Sequence, residues 1–238
     1  MLDTRRGRLL TIGSLAAVLA VLLAAGGYVY VDAQRQDGSV QVVNGGDDGF
    51  ADPGSVPIGG SFELVNDRGE TVTPAAYDDV YKLVFFGFTH CPDVCPTTLA
   101  DITRTMELLG SATTDVQPLF ISVDPARDTP EALREYLSNF HPKIVGLTGT
   151  RPQVQKAADA FRVYFEKAKP KNYTGAGSGG ENPAGKTDYL VNHSANIYLM
   201  SPDNQYLKHF NYGTEPDRMA RTIRDALETF GRPERGAT

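Results

Sequence analysis

Apolar residues fall along this chain in three regimes. Leu9 to Val31, LLTIGSLAAVLAVLLAAGGYVYV, is an unbroken run of 23 residues without a charge. Residues 32–59 have no hydrophobic period and are rich in Gly, Asp and Pro. From residue 60 to about residue 232, short dense apolar runs alternate with stretches of helical spacing. That alternation predicts a layered α/β domain.

Within the third regime, SFELVNDRGETVT reads as a hairpin turning at Asn66-Asp67-Arg68-Gly69. YKLVFFGF (81–88) and VQPLFISVD (116–124) are continuous apolar runs, as expected of strands buried on both faces. Between them Leu99, Ile102, Met106 and Leu109 repeat at helical spacing, and Gly110 supplies a stop. Pro96 suits the first position of that helix. Thr129-Pro130 opens a second helix, Ile144–Leu147 is a short strand, and residues 151–165 form a third helix. ANIYLM and QYLKHF make a terminal hairpin around Pro202-Asp203-Asn204, and Met219–Phe230 closes the chain as a helix. The order implies parallel strands joined through helices, with an antiparallel pair at the edge.

The first regime changes the picture of where this domain works. At ~1.5 Å rise per residue the run can cross a hydrocarbon core of ~30 Å. Arg5, Arg6 and Arg8 precede it, and no Lys or Arg follows until Arg35. The positive-inside rule keeps residues 1–8 in the cytoplasm and sends the rest across the membrane. A cleaved signal peptide would have the same outcome, but its apolar core is usually shorter, roughly 7–15 residues. The expectation is a retained anchor over 9–31, a tether over 32–59 and a folded domain over 60–232, with a short docking strand at Val40–Val43. Either way the domain lies where disulfides persist.

Composition adds exclusions. The net charge of −6 and the scatter of Lys and Arg leave no footprint for nucleic acid. GAGSGG (175–180) and GENPAGKT (180–187) match nucleotide-loop patterns. Neither has the preceding strand and following helix that would cradle phosphate, so no nucleotide is expected.

The candidate chemistry sits in FFGFTHCPDVCPTTL, which holds both cysteines of the chain, Cys91 and Cys95. At i and i+4 they fall on one face of a helical turn. The position follows a buried strand and opens a helix, where backbone amides and the helix dipole favour thiolate. Three readings stand: structural staple, redox couple, or two arms of a metal site. A staple over so short a loop removes little chain entropy. Thioredoxin-like oxidoreductases use C-x-x-C and a cis-proline opposite it, whereas here the spacing is C-x-x-x-C and the facing segment DYLVNHSANIYLM carries His193 instead.

Two thiolates and one imidazole suit Cu(I) by softness and can hold Cu(II) as well. Zinc would require a fourth ligand. His90 is expected to point away from Cys91, in a packing or supporting role. His141 and His209 read as incidental. Asp124 ends the second buried strand on the same edge. It either orients His193 or tunes the metal, or it turns the chain locally with Arg127. Asp128 is expected to cap the helix that follows.

GFTHCPDVCPTTL resembles the first block of the Sco/SenC family, membrane-anchored thioredoxin-fold copper chaperones of cytochrome c oxidase assembly. VDPARDTPEALREYL (123–137) and YLVNHSANIYLMSPD (189–203) are similar to that family's second and third blocks. The resemblance implies a thioredoxin-like fold with an N-terminal hairpin extension, and copper held by Cys91, Cys95 and His193. It further implies delivery to the binuclear centre of cytochrome c oxidase subunit II, or reduction of that subunit's cysteines before metallation. The alternatives are a thiol-disulfide reductase, which would make the protein an enzyme, and a redox or copper sensor. Other periplasmic copper chaperones or thioredoxin-like reductants are the further partners. The expected address is the bacterial inner membrane, with the soluble domain facing the periplasm.

Overall fold

The computed structural model describes residues 49–167 and 191–233, with Lys167, Asn192 and His193 at the level of the backbone. All of them lie in the unit Asp48–Thr238. The expected anchor, tether and docking strand, and both nucleotide-loop look-alikes, fall outside the described residues. Among the described residues no helix is long and apolar enough to cross a membrane.

The hairpin around Asn66–Gly69 is present. Strand β1 (Leu64–Asn66) pairs antiparallel with β2 (Thr71–Val72), Leu64 opposite Val72. The Asn66 side-chain oxygen accepts from the amides of Arg68 at 3.0 Å and Glu70 at 2.9 Å, and Gly69 turns the chain at φ +84°. The remaining elements follow in order: β3 (Tyr81–Gly87), α1 (Val94–Leu109), β4 (Val116–Ser122), α2 (Pro130–Leu137), β5 (Val145–Thr148) and α3 (Arg151–Ala160). Then come β6 (Phe165–Lys167), β7 (Val191–His193), β8 (Ile197–Met200), β9 (Tyr206–Phe210) and α4 (Pro216–Thr229).

Among the described residues, seven strands form one mixed sheet in the order β2-β1-β5-β4-β3-β8-β9. β3, β4 and β5 run parallel, and the outer neighbours on both sides are antiparallel. All seven residues of β3 are buried, as a central strand with both faces covered must be. Period two assigns the faces. Phe85 lies opposite Phe120, and Phe120 opposite Gly146, on the face that receives α1 and α2. Tyr81 shares that face and donates its hydroxyl to the carbonyl of Gly231 at 2.7 Å, just past α4. The opposite face carries Phe86 and Tyr198, both packed on Phe161 at the end of α3 with ring centroids 5.4 and 5.5 Å away.

Local chemistry fixes the ends of these elements. Leu99, Ile102, Met106 and Leu109 of α1 are all buried, and Gly110 ends the helix at φ +59°. The Thr129 hydroxyl accepts the Ala132 amide at 3.3 Å, so Thr129 caps α2 with Pro130 behind it. Thr150 and Gln153 close a capping box on α3.

Three boundaries differ from expectation. Helix α1 starts at Val94, so Pro96 is its third residue; its missing N–H is still one of the orphan donors of a first turn. Helix α4 starts at Pro216 rather than Met219. Helix α3 stops at Ala160 rather than running to residue 165. There Arg162 takes φ +53° and the Val163 amide reaches back to the Ala158 carbonyl at 2.8 Å. The β-branched and aromatic residues that follow are then free to extend into β6, which pairs with β7 in a separate two-stranded ribbon.

Candidate metal centre at a dithiol loop

The site begins where β3 ends. After Gly87 the chain leaves the sheet, and the Cys91 amide donates to the Phe88 carbonyl at 3.2 Å, which folds the loop back. Three residues after Cys91 the helix α1 begins, with Cys95 in its first turn. The Cys91 sulfur accepts the Cys95 amide at 3.4 Å. It therefore occupies the place of a capping side chain on otherwise orphaned amides.

The two cysteines are free thiols with different access: Cys91 is partly exposed and Cys95 is fully buried. Burial pushes the Cys95 thiol up. Its sulfur packs beside the Phe120 ring above Gly87. A Cβ on Gly87 would stand 2.6 Å from the Phe120 ring and 2.9 Å from the Cys95 sulfur. Glycine at the end of β3 is what lets the sulfur approach the sheet.

A buried carboxylate anchors the loop. Asp128 accepts from the Thr89 hydroxyl at 2.6 Å, the Thr89 amide at 3.1 Å and the Ser122 hydroxyl at 2.6 Å. This corrects the expectation that Asp128 caps α2; Thr129 does that, and Asp128 ties the cysteine loop to the end of β4. Burial raises its carboxyl, with the three hydrogen bonds pulling the other way. No sequence pattern announced it, because a carboxylate beside a Thr-Pro helix start reads as a cap.

Asp124 is buried and bonds Arg127 at 2.5 Å, and the Arg127 guanidinium lies 6.0 Å from the Phe88 ring centre. The local contact with Arg127 that the sequence offered as one of two readings is thus in place. His90 is half exposed rather than packed away. Its Nδ1 is 2.9 Å from the Thr89 hydroxyl and 3.9 Å from Asp128. His141 and His209 are taken up locally, the first accepting the Lys143 amide and the second meeting the Tyr206 hydroxyl at 2.6 Å.

His193 closes β7, and its backbone pairs with Phe165 of β6. Phe165 lines an open cleft of about 220 Å3 together with Val123–Ala126, which follow β4, and Gly149–Arg151, which follow β5. Four residues past His193, Ile197 pairs with Phe85 beside the start of the cysteine loop. The backbone of His193 therefore stands at the carboxyl edge of the parallel strands, the edge that carries both cysteines. Among the described residues no three His, Cys, Asp or Glu side chains form a complete ligand cluster.

Sequence reasoning passed over Tyr136. Its ring packs against Phe120 and Phe140, with centroids 6.1 and 5.5 Å away. Its hydroxyl oxygen is buried without a hydrogen-bond partner among the described residues. A tyrosine in an amphipathic helix next to buried leucines gives no sequence signal beyond packing.

Fold and site define a class: a thioredoxin-like α/β domain that presents a C-x-x-x-C dithiol at the amino end of its first helix. The family model described as SCO1/SenC matches residues 51–228, so the chain belongs to the SCO1/SenC family. It is 38% identical over 171 residues to the SCO2-like protein of Rickettsia conorii, covering 72% of this chain and 78% of that one. Among solved structures it is similar to copper-bound ScoI of Arabidopsis thaliana, with 35% identity and a TM-score of 0.63, covering 72% of this chain and 98% of that one. Copper-bound ScoI of Bradyrhizobium japonicum is 37% identical with a TM-score of 0.60, covering 71% and 98%.

Proposed function

We propose that this protein carries copper on Cys91, Cys95 and His193 and delivers it to the binuclear centre of cytochrome c oxidase subunit II. The observation that carries the reading is the Cys91 sulfur seated on the Cys95 amide at the start of α1. It places a sulfur at the amino end of the helix beside the second cysteine, where the pair can ligate a soft metal. The donor chemistry fits the cargo, since thiolates suit Cu(I) and an added imidazole accommodates Cu(II). The copper-bound ScoI relatives of A. thaliana and B. japonicum support the same cargo. The three motif blocks that resemble the Sco/SenC family support the recipient. Asp124 is assigned a supporting role, holding the strand end on which His193 must converge.

The chain's own residues do the work by ligand exchange. Copper arrives at Cys91, the accessible sulfur, and is closed in by Cys95 and His193. Release reverses that order through sulfurs shared with the recipient. Oxidation of Cys91 and Cys95 to a disulfide switches binding off, because the thiolate is the ligand. Residues 9–31 anchor the protein in the bacterial inner membrane and residues 32–59 set its reach on the periplasmic side.

Metal analysis of the reduced protein tests this. Stoichiometric copper in the wild type, lost in both Cys91→Ser and His193→Ala, is the expected result. Zinc in place of copper, or copper retained by His193→Ala, would overturn the site.

One observation favours a second reading, a thiol-disulfide reductase. The pairing of an accessible Cys91 with a buried Cys95 is what an attacking and a resolving thiol require. Under this reading His193→Ala leaves thiol exchange intact, which separates the two.

A further inference from the structure

The turn that carries Cys91 also presents an imidazole. The Cys91 amide donates to the Phe88 carbonyl at 3.2 Å, so Thr89 and His90 are the central residues of a tight turn. Neighbouring side chains alternate between faces in a strand, and a turn breaks that rule, so nothing in the backbone separates His90 from Cys91. Both side chains reach solvent: that of His90 is 48% exposed and Cys91 is partly exposed.

A run of hydrogen bonds orients the ring. One oxygen of the buried Asp128 accepts from the Ser122 hydroxyl at 2.6 Å and the Thr89 amide at 3.1 Å. The other accepts from the Thr89 hydroxyl at 2.6 Å. A threonine hydroxyl has one hydrogen to give, and Asp128 takes it. The Thr89 oxygen therefore accepts from His90 Nδ1, 2.9 Å away, and the lone pair of the ring is on Nε2. Metal-ligating histidines are built in this way, one nitrogen tied through a hydrogen bond and the other left to the ion. His141 shows the reverse. Its Nδ1 accepts the Lys143 amide at 3.2 Å, which puts the ring hydrogen on Nε2.

We propose that His90 Nε2 and Cys91 Sγ form an entry site for Cu(I), a two-ligand station that the ion occupies before Cys95 and His193 close on it. A thiolate selects Cu(I) by softness, and the imidazole supplies the second ligand. The Cys91 thiol gives its proton to solvent as the bond to copper forms, and His90 contributes a lone pair. Copper stays Cu(I), and nothing is oxidised or reduced. When Cys95 and His193 ligate the ion, His90 is displaced and returns to solvent with its hydrogen bond to Thr89 intact.

The inference rests on the copper site proposed above, and the test separates the two. In the full chain, Cys95→Ser with His193→Ala removes the other ligands and leaves the entry pair. Cu(I), supplied without oxygen as its acetonitrile complex and competed against a chromophoric chelator, is expected to bind this variant one to one. X-ray absorption should show one sulfur and one nitrogen on the ion. Adding His90→Ala should remove the nitrogen and weaken binding by at least about 10-fold. In the otherwise wild-type protein, His90→Ala should keep the equilibrium affinity within about threefold and slow Cu(I) exchange with the chelator about 10-fold. Its metal-free Tm should stay within about 2 °C of wild type, as for other exposed substitutions. Equal affinities with and without His90 in the stripped variant, equal exchange rates, or a slowing accompanied by a lower Tm would overturn the entry site. Binding in the wild type but not in the stripped variant would overturn the entry site alone. Wild-type affinity no higher than that of the stripped variant would overturn the three-ligand site alone, and no Cu(I) in either would overturn both.

Discussion

Gly87 shows how much a single missing methyl group organises. It is the last residue of β3, buried between the Phe120 ring and the Cys95 sulfur. Any Cβ there must displace one of them, and both belong to packed elements. Gly87→Ala is therefore expected to lower the unfolding free energy by about 1–3 kcal/mol, as overpacking does. Urea denaturation of the reduced protein measures this, and equal midpoints for mutant and wild type would refute it. The sequence exposed the cysteines and His193 because those residue types carry their chemistry in their names. It hid Gly87, Asp128 and Tyr136, whose parts depend on what lies across the sheet. Asp128 is 39 positions from Thr89 in the chain yet holds its hydroxyl at 2.6 Å.

Elements were legible where a period ran long and hard to read where it broke. The buried strands β3 and β4 were plain as continuous apolar runs, and α1 as a repeat of four buried positions. The end of α3 was not, because FRVYF keeps a helical apolar spacing while its β-branched and aromatic residues gain more by pairing with β7. The helix stops through Arg162 in a left-handed conformation, φ +53°, where glycine is the usual occupant. That geometry costs an L-residue roughly 1–2 kcal/mol, partly offset in glycine by its greater freedom when unfolded. Arg162 also donates to the Pro57 carbonyl at 3.2 Å, an exposed bond worth little. Arg162→Gly should stabilise the protein by roughly 0.5–1 kcal/mol. A lower thermal midpoint for this variant would show that the Pro57 contact outweighs the backbone strain.

For the molecule as a whole, chemistry gathers at the carboxyl edge of the parallel strands and a buried cation sits near the other. Lys82, the second residue of β3, is almost wholly buried and donates to the carbonyls of Ser201 at 3.2 Å and Pro202 at 2.5 Å. Burial brings its ammonium down to about 8, against the pull of Asp78, Asp203 and Asp79. An unfolded lysine titrates near ~10.4. Between those values the unfolded chain holds the extra proton, so the contribution of Lys82 to stability rises with pH, by on the order of 2–3 kcal/mol across the window. Tyr77 and Tyr206, both pushed up to about 12 by burial, act with the opposite sign, and only above the ordinary phenol range near ~10. Unfolding free energies at about pH 7.5 and about pH 10 should therefore rise less, or fall more, in Lys82→Met than in the wild type. Identical differences in the two proteins would remove Lys82 from the account.

The unequal access of the two sulfurs gives the site a direction in time. Under the function proposed above, a visiting protein would meet the partly exposed Cys91 and not the buried Cys95, so each covalent or metal-bridged encounter would open on the same atom. The interior sulfur would then act as a clock: how quickly it claimed the shared bond or ion would set how long the visitor stayed. Residence time would thereby be written into the core around Phe120, out of the visitor's reach, while the choice of visitor would be left to the surface.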